Sequence, residues 1–229
     1  MQLRDISFQT PQENILFDEV LFSLSEEYLR FWESQQLFVV LGRIGKQEQD
    51  VDTIHAQKNG IAVLRRSSGG GTVLQGPGCL NYTLVLSKQK YPMLHDLRQS
   101  YQWISERVIE ALGKQGVKAF FRPTSDLATG KDEKKFSGNA QRRGKNFVLH
   151  HGTILYNFDL ALISKYLKMP VDVPEYRKHR PHTDFVTNIP IDPKLFKQHL
   201  AQIFSASVPQ PPTPQELSLL KEFTLSKIF

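Results

Sequence analysis

The chain has 229 residues, of which 40% are hydrophobic and 23% are charged, and it carries a formal net charge of +6 with a pI near 9.3. This length and apolar content predict a soluble globular chain with an ample core, built as one large domain or as a domain with a small appendage. The positive charge favours an anionic partner and leaves open whether that partner is a nucleic acid, a nucleotide or an acidic protein.

Signals for membrane insertion and secretion are missing from the sequence. No stretch approaches the roughly 20 apolar residues that a membrane helix needs, and Gln2 to Asp5 lack the apolar core of a signal peptide. The single cysteine, Cys79, excludes an internal disulfide and a multi-cysteine metal site, which is typical of a reducing compartment. We therefore expect a cytoplasmic protein with no membrane partner.

Three segments carry helix signals. Thr-Pro-Gln-Glu occurs twice, starting at Thr10 and at Thr213, and offers a Thr N-cap, Pro at the first helical position and Glu at the third. Between them, apolar residues recur at spacings of three and four from about Asp96 to Gln115, and Gly116 follows. These patterns predict helices that begin near Pro11 and Pro214 and a longer amphipathic helix in the middle of the chain.

Short β-prone runs lie between the helices without a regular strand-helix-strand rhythm. They cover Phe38–Leu41, Ile61–Leu64, Asn81–Leu86, Val117–Phe121 and Phe147–Tyr156. This arrangement favours an α+β fold, with a central mixed, mostly antiparallel sheet flanked by helices, over a doubly wound fold. Residues 205–212 (SASVPQPP) cannot continue a helix. We therefore expect a main domain over residues 1–204, a Pro-rich linker over 205–213 and a short helical tail over 214–229.

A glycine block interrupts the β-prone pattern in LRRSSGGGTVLQGPGCLNY, from Leu64 to Tyr82. Three glycines weaken a strand, so one interpretation is a tight hairpin or bulge. The other is an anion site, because Arg65 and Arg66 lie beside a bare backbone whose N–H groups can face an anion. The block is neither a Walker A motif nor a dinucleotide-binding fingerprint.

A second cluster combines lysines with small residues, and a histidine block follows it. The pair Lys134-Lys135 precedes Phe136-Ser137-Gly138-Asn139-Ala140, and His151-Gly152-Thr153 comes ten residues later. A lysine pair in such a polar stretch is most often part of a solvated hairpin. The small residues support a second interpretation, in which the backbone approaches a ligand while an ammonium reaches its charged group.

Together, RRSSGGGTVLQGPGCLNY, SDLATGKDEKKFSGNAQ and HHGTILYN resemble, in order and spacing, the signature blocks of the lipoate-protein ligase catalytic domain, in the biotin/lipoate ligase superfamily. The similarity covers about residues 16–204. It implies an enzyme that activates lipoate with ATP and Mg²⁺ and transfers the lipoyl group to a lysine of an acidic acceptor domain. Such acceptors are the E2 subunit of 2-oxoacid dehydrogenases and the H protein of glycine cleavage.

The resemblance also implies roles for individual residues. Lys135 corresponds to the catalytic lysine, which contacts the acyl carbonyl and the phosphate, and Asp126 to the aspartate near the metal and phosphates. Binding of the acyl-adenylate falls to two groups, which are Arg65, Arg66, Ser68, Gly69, Gly70, Gly71 and Thr72 in the glycine block, and Gly138, Ala140, His151, Gly152 and Thr153 in the later blocks.

The chain departs from the family pattern after its glycines, where ligases commonly have a histidine and an asparagine that are missing here. The sequence Gly76-Pro77-Gly78 is closer to the octanoyltransferase branch, which transfers an acyl group without ATP through a cysteine thioester. Cys79 lies in the wrong block for that nucleophile, so we expect a structural thiol. His179 and His182 have no third ligand in the sequence and are not expected to bind metal.

Two further points concern partners. A non-catalytic binding module is supported only by the net charge, and no nucleic-acid motif is present. Lys131, Lys134, Arg142, Arg143 and Lys145 surround Lys135 in the sequence and predict electrostatic attraction of an acidic acceptor. Only the 16 residues 214–229 follow the linker, so we leave open whether activation needs a separate accessory chain.

Overall fold

The computed structural model describes residues 1–171 and 173–226, which form ten strands and eight α-helices. The strands are β1 Gln2–Asp5, β2 Tyr28–Trp32, β3 Phe38–Leu41, β4 Ala62–Arg65, β5 Val73–Gln75, β6 Cys79–Ser87, β7 Ala119–Arg122, β8 Asp126–Thr129, β9 Lys134–Arg143 and β10 Phe147–Leu155. The helices are α1 Pro11–Ser23, α2 Gln47–Asp50, α3 Thr53–Lys58, α4 Leu97–Gly113, α5 Ala161–Tyr166, α6 His182–Phe185, α7 Pro193–Ile203 and α8 Pro214–Ser226. Short 3₁₀ turns cover Pro92–His95 and Glu175–Arg177.

Seven strands form the main sheet, in the order β1-β2-β6-β10-β9-β8-β7. Within the described residues, β1 and β2 pair in parallel and the other neighbours pair antiparallel. A small second sheet has the order β4-β3-β5, with β3 parallel to β4 and antiparallel to β5. The predicted α+β fold with a mixed, mostly antiparallel central sheet is confirmed, and the second sheet is an addition to it.

The predicted helix starts are confirmed by their caps. At the start of α1, the Thr10 side chain accepts a hydrogen bond from the Glu13 N–H, and the Glu13 carboxylate accepts one from the Thr10 N–H. Asp96 caps α4 by accepting from the Gln99 N–H at 2.8 Å. The apolar stripe of α4 is buried in the main core together with α7 and one face of the main sheet.

The segment after α7 runs along the N-terminal strand. The N–H groups of Ser207 and Gln210 donate to the carbonyls of Met1 and Leu3, both at 3.0 Å, and α8 then packs against α1. Glu216 caps α8 by accepting from the Thr213 N–H at 3.0 Å. Residues 227–229, the end of the expected tail, lie outside the described residues.

A buried ion pair joins β1 to α8. The Arg4 guanidinium donates Nε to Glu216 Oε2 at 3.0 Å and Nη2 to Oε1 at 2.8 Å, and the two side chains are 2% and 1% exposed. Removing one partner of such a pair leaves a buried charge without compensation.

We expect Arg4→Met to lower the free energy of unfolding by about 3–5 kcal/mol, measured by urea denaturation. The matched control is Lys90→Ala, which breaks a pair with Glu27 in which the lysine is 55% exposed, and which we expect to cost less than about 1 kcal/mol. Equal losses in the two variants would contradict this prediction.

Candidate functional site

A cavity of about 600 Å³ lies between the two sheets and beneath the segment 167–186. Most of the residues singled out from the sequence line it, and these are Arg66, Gly70, Gly71, Thr72, Asp126, Lys135, Gly138, Ala140, His151, Gly152 and Thr153. The lining formed by the described residues leaves out Arg65, Ser68 and Gly69. The structure therefore brings together residues of three sequence blocks that are up to 87 positions apart along the chain, from Arg66 to Thr153.

Arg66 shapes the glycine turn from inside. Its guanidinium donates Nη2 to the carbonyls of Gly69 at 2.7 Å and Gly71 at 2.8 Å, and Nε to Ser68 Oγ at 2.9 Å. Burial lowers the pKa of Arg66 to about 10, so the side chain remains a cation at neutral pH. No carboxylate of the described residues forms an ion pair with it. A buried cation without a counter-ion on a cavity wall indicates a site for an anion.

The glycine backbone adds hydrogen-bond donors to the same wall. Within the described residues, the N–H groups of Gly70 and Gly71 donate to no backbone or side-chain acceptor. Gly70 has φ of +82°, a conformation that favours glycine, and a Cβ there would lie 3.1 Å from Arg66 Nη2. The turn therefore leaves two free donors beside a buried guanidinium, as in an anion-binding nest.

Arg65 has a different position from its neighbour. Its Nη1 donates to the carbonyls of Gly42 at 2.9 Å, Arg43 at 3.1 Å and Gly45 at 2.8 Å. Successive residues of a strand face opposite sides, so only one of the two arginines reaches the cavity. Arg65 secures the loop that contacts the glycine turn, where a Cβ on Gly42 would overlap the Gly70 carbonyl.

Lys135 and Asp126 form an ion pair on the cavity wall. Lys135 Nζ lies 2.8 Å from Asp126 Oδ1, and the Tyr176 hydroxyl donates to Asp126 Oδ2 at 2.7 Å. Burial and the neighbouring Asp126 carboxylate raise the pKa of Tyr176 well above its usual range, so the hydroxyl stays a donor. A Cβ on Gly138 would lie 3.0 Å from Lys135 Nζ, which explains the small residue there.

His151 is held by one residue of the glycine block and one residue outside the three blocks. Its Nε2 lies 2.6 Å from Ser68 Oγ and its Nδ1 lies 3.3 Å from Asp18 Oδ2. The other oxygen of Asp18 accepts from Arg30 Nη1 at 2.7 Å. Burial alone would raise the pKa of Asp18, but Arg30 and His151 more than offset it and the pKa is lowered. Asp18 and Arg30 are not among the residues predicted from the sequence. The local signal for each is a charged residue inside an apolar run.

Apolar and neutral polar residues line the deep part of the cavity. Trp32 and Val40 are 6% and 4% exposed and belong to an apolar cluster. Beside them is a closed ring of hydrogen bonds: Gln75 Nε2 donates to Thr153 Oγ1 at 2.6 Å, Thr153 Oγ1 to Asn81 Oδ1 at 2.6 Å, and Asn81 Nδ2 to Gln75 Oε1 at 3.1 Å. The cavity thus combines an apolar interior with a cationic wall, which suits a ligand that joins an apolar chain to an anionic head.

The Cys79 thiol and the basic residues around Lys135 lie in other surroundings. Cys79 is fully buried in an apolar cluster, and burial raises the pKa of its thiol far above the usual range.

Lys131 and Lys134 are at one end of β9, while Arg142 and Lys145 are at the other, roughly 30 Å away at about 3.3 Å per residue. The basic residues around Lys135 in the sequence therefore do not form a single patch.

The sequence predicts a metal role for Asp126 and none for His179 or His182. Three or more His, Cys, Asp or Glu side chains that could hold a metal ion do not come together within these residues. His182 lies on the cavity wall, and its Nδ1 is 3.4 Å from Arg177 Nη2. Burial lowers the pKa of His182. Asp126 shares the cavity wall with Asp18, Asp50 and Glu175 and is not grouped with two other metal-binding side chains of the described residues.

Fold and cavity together describe an α+β protein whose cavity joins apolar residues to a wall that carries a buried, unpaired arginine. The chain belongs to the family of the lipoyl protein ligase A/B catalytic domain, which it matches over residues 5–205. It is 30% identical over 181 residues to the lipoate-protein ligase LplJ of Bacillus subtilis, a match that covers 76% of this chain and 52% of that protein. The chain spans about half the length of the curated relatives it matches.

Two solved structures extend the comparison. A bi-partite lipoate protein ligase from Thermoplasma acidophilum superposes with a TM-score of 0.84 at 25% identity, over 99% of this chain and 93% of that chain. A lipoate-protein ligase A bound with ATP gives a TM-score of 0.79 at 26% identity, over 99% of this chain and 96% of the other. Within the described residues, no helix is long and apolar enough to cross a bilayer.

Proposed function

We propose that the chain is a lipoate-protein ligase, which activates lipoate with ATP to lipoyl-AMP and transfers the lipoyl group to a lysine of an acceptor protein. The observation that carries this proposal is the uncompensated buried Arg66 beside the free N–H groups of Gly70 and Gly71, at the wall of a cavity with an apolar interior. Lipoate is an apolar chain that ends in a carboxylate. The ATP-bound ligase of similar fold supports a nucleotide in the same cavity.

In the activation step, a carboxylate oxygen of lipoate bonds to the α-phosphorus of ATP, and the bond to the leaving pyrophosphate breaks. Two anions must approach each other, so the site has to neutralise charge before it forms. Arg66 and the glycine N–H groups are already oriented and need no rearrangement. Lys135 supplies a further point charge on the cavity wall.

In the transfer step, the acceptor amine attacks the acyl carbonyl carbon, a C–N bond forms, the C–O bond to AMP breaks, and the amine loses a proton. Lys135 polarises the carbonyl and neutralises the departing phosphate. Asp126 and Tyr176 orient Lys135 through two consecutive contacts of 2.8 and 2.7 Å. The amine of the acceptor has an unperturbed pKa of about 10.4 and must be neutral when it attacks.

The residues present fit a Mg²⁺ ion that enters with the nucleotide. Mg²⁺ commonly uses one or two carboxylates together with substrate phosphates, and Asp126 provides one carboxylate on the cavity wall. When bound, the ion would neutralise phosphate charge during activation. Without Mg²⁺, the Asp126 carboxylate holds the Lys135 ammonium.

We propose an acidic lipoyl domain as the acceptor, either the E2 subunit of a 2-oxoacid dehydrogenase or the glycine cleavage H protein. The Thermoplasma acidophilum structure concerns a lipoylation system with its E2 lipoyl domain, which supports the first of these. That ligase is bi-partite, so an accessory chain for activation belongs to the proposal. One buried, unpaired cysteine suits the reducing cytoplasm, where we place the reaction.

Attraction between the basic chain and an acidic acceptor predicts a salt dependence. At subsaturating acceptor, the transfer rate is expected to fall as ionic strength rises past 0.1 M, where the Debye length is about 10 Å, because screening slows association. The rate at saturating acceptor serves as the control and should change little. A salt-independent rate at subsaturating acceptor would contradict electrostatic attraction.

The rival function is an acyltransferase that uses a cysteine thioester and no ATP. Because Cys79 is buried, protonated and outside the cavity lining of the described residues, Cys79→Ala is expected to keep activity within about threefold of the wild type in a lipoylation assay. Isolation of an acyl-thioester on Cys79 by mass spectrometry would overturn this prediction and favour the transferase.

A gel assay of an acceptor domain separates the three function classes. The four arms contain lipoate with ATP, lipoate without ATP, preformed lipoyl-adenylate, and an acyl-protein donor without ATP. A ligase modifies the acceptor in the first and third arms only. A cysteine-dependent acyltransferase requires an acyl-protein donor and is indifferent to ATP, and a binding module modifies nothing in any arm.

A further inference from the structure

A second buried arginine lines the cavity from the segment 167–186. Arg177 is 4% exposed and lies in the 3₁₀ turn Glu175–Arg177. Its Nε donates to the Arg180 carbonyl at 2.9 Å, and its Nη2 lies 3.2 Å from Met169 Sδ. The guanidinium stacks on Phe185, 4.6 Å from the ring centroid. These contacts fix the side chain without neutralising it.

One end of this guanidinium has no protein partner. Within the described residues, Arg177 forms no ion pair with a carboxylate, and its Nη1 forms no hydrogen bond. Nη1 is also absent from the buried polar atoms that lack a partner, so this nitrogen reaches open space. Since the residue as a whole is almost fully buried and lines the cavity, that space is the cavity.

Four cations line the cavity, and an acyl-adenylate carries only one phosphate. Arg66 with the glycine N–H groups provides for one anion, and Lys135 is balanced by Asp126 at 2.8 Å. Lys168 and Arg177 form no ion pair within the described residues, but Lys168 is exposed and its Nζ donates to the Glu48 carbonyl at 2.8 Å, whereas Arg177 is buried with Nη1 free. The wall also carries Asp18, which is paired with Arg30, Asp50, which accepts from Thr72, and Glu175. ATP brings two further phosphates, which leave together as pyrophosphate.

We propose that Arg177 binds the β- and γ-phosphates of ATP and the departing pyrophosphate, so that it serves activation and not transfer. This inference rests on the proposed ligase function. As the bond between the α-phosphorus and the bridging oxygen breaks, negative charge moves onto the pyrophosphate, and a fixed guanidinium stabilises that charge. The planar fork of arginine suits a pair of phosphate oxygens.

Arg180 offers a matched control. Its guanidinium also stacks on Phe185, 5.3 Å from the ring centroid, but within the described residues its hydrogen bonds all go to backbone carbonyls, which are those of Asp132, Glu133, Tyr176 and Arg177. The lining formed by the described residues does not include it. Arg177→Met and Arg180→Met therefore remove the same charge from the same aromatic ring, and only the first changes the cavity.

The test measures the two half-reactions separately. With lipoate and ATP, pyrophosphate release by Arg177→Met is expected to fall on the order of 10²-fold or more, and calorimetry with inorganic pyrophosphate should show a similar loss of affinity. Transfer from preformed lipoyl-adenylate should stay within about threefold of the wild type. Arg180→Met should resemble the wild type in both half-reactions.

Other outcomes overturn the proposal. Equal losses in activation and transfer would show that Arg177 only supports the fold of the cavity, and unchanged activation would show that it binds no phosphate. If Arg177→Met does not fold, Arg177→Lys replaces it, with an expected loss of about tenfold in activation and none in transfer. A wild-type protein that performs neither half-reaction contradicts the ligase function instead.

Discussion

Replacing Lys135 by alanine is expected to slow transfer from preformed lipoyl-adenylate, and activation as well, on the order of 10²-fold or more. The ammonium lies on the cavity wall, where Asp126, itself bonded to Tyr176, holds it in position. Lys135→Arg should also be poor, because a planar fork does not fit the space above Gly138, where the ammonium lies. Single-turnover rates with saturating adenylate measure this effect.

Lys134→Ala is the matched control for this prediction. Lys134 precedes Lys135 in β9, and neighbouring residues of a strand face opposite sides. The variant removes the same charge from the same strand and should stay near the wild-type rate. Equal small effects at the two positions, in folded protein, would show that Lys135 is not the catalytic cation.

The second large effect is expected at Gly70. Gly70→Val places a branched Cβ at φ of +82°, 3.1 Å from the Arg66 guanidinium. The turn must then shift, which displaces both the free N–H groups and the buried cation. We expect a loss on the order of 10²-fold in affinity for a lipoyl-adenylate analogue, measured by calorimetry.

Gly69→Ala separates this effect from a general weakening of the turn. A Cβ at Gly69 meets no atom of the described residues within 4 Å, so alanine fits there without displacement. We expect this variant to bind the analogue nearly as the wild type does. Unchanged affinity in folded Gly70→Val protein would contradict the assignment of the glycine turn to the anionic head.

Sequence patterns predict the elements whose signals are local. The capping box at Thr10 and the apolar stripe of α4 need only their own residues, and the structure confirms both helices. β9 was ambiguous because Lys134–Arg143 is rich in polar residues. It forms a strand by pairing with β8 and β10, the strands before and after it in the chain, so the strand depends on its neighbours and not on its own residues alone.

The same distinction applies to the site. The glycine turn and Lys135 lie within continuous blocks and could be proposed from the sequence. The two arginines of the glycine block could not be distinguished, since their roles follow from which side of β4 each one faces. Asp18 and Tyr176 reach the site through contacts that span 133 and 50 sequence positions, so no local pattern indicates them.

The most direct test of the central claim is a single turnover with preformed lipoyl-adenylate and an acceptor domain, followed by mass spectrometry of the acceptor. The account predicts that one acceptor lysine gains a lipoyl group with wild-type protein and with Lys134→Ala, and that modification is slowed on the order of 10²-fold or more with Lys135→Ala. Absence of transfer by folded wild-type protein, or equal transfer by Lys135→Ala, would contradict it.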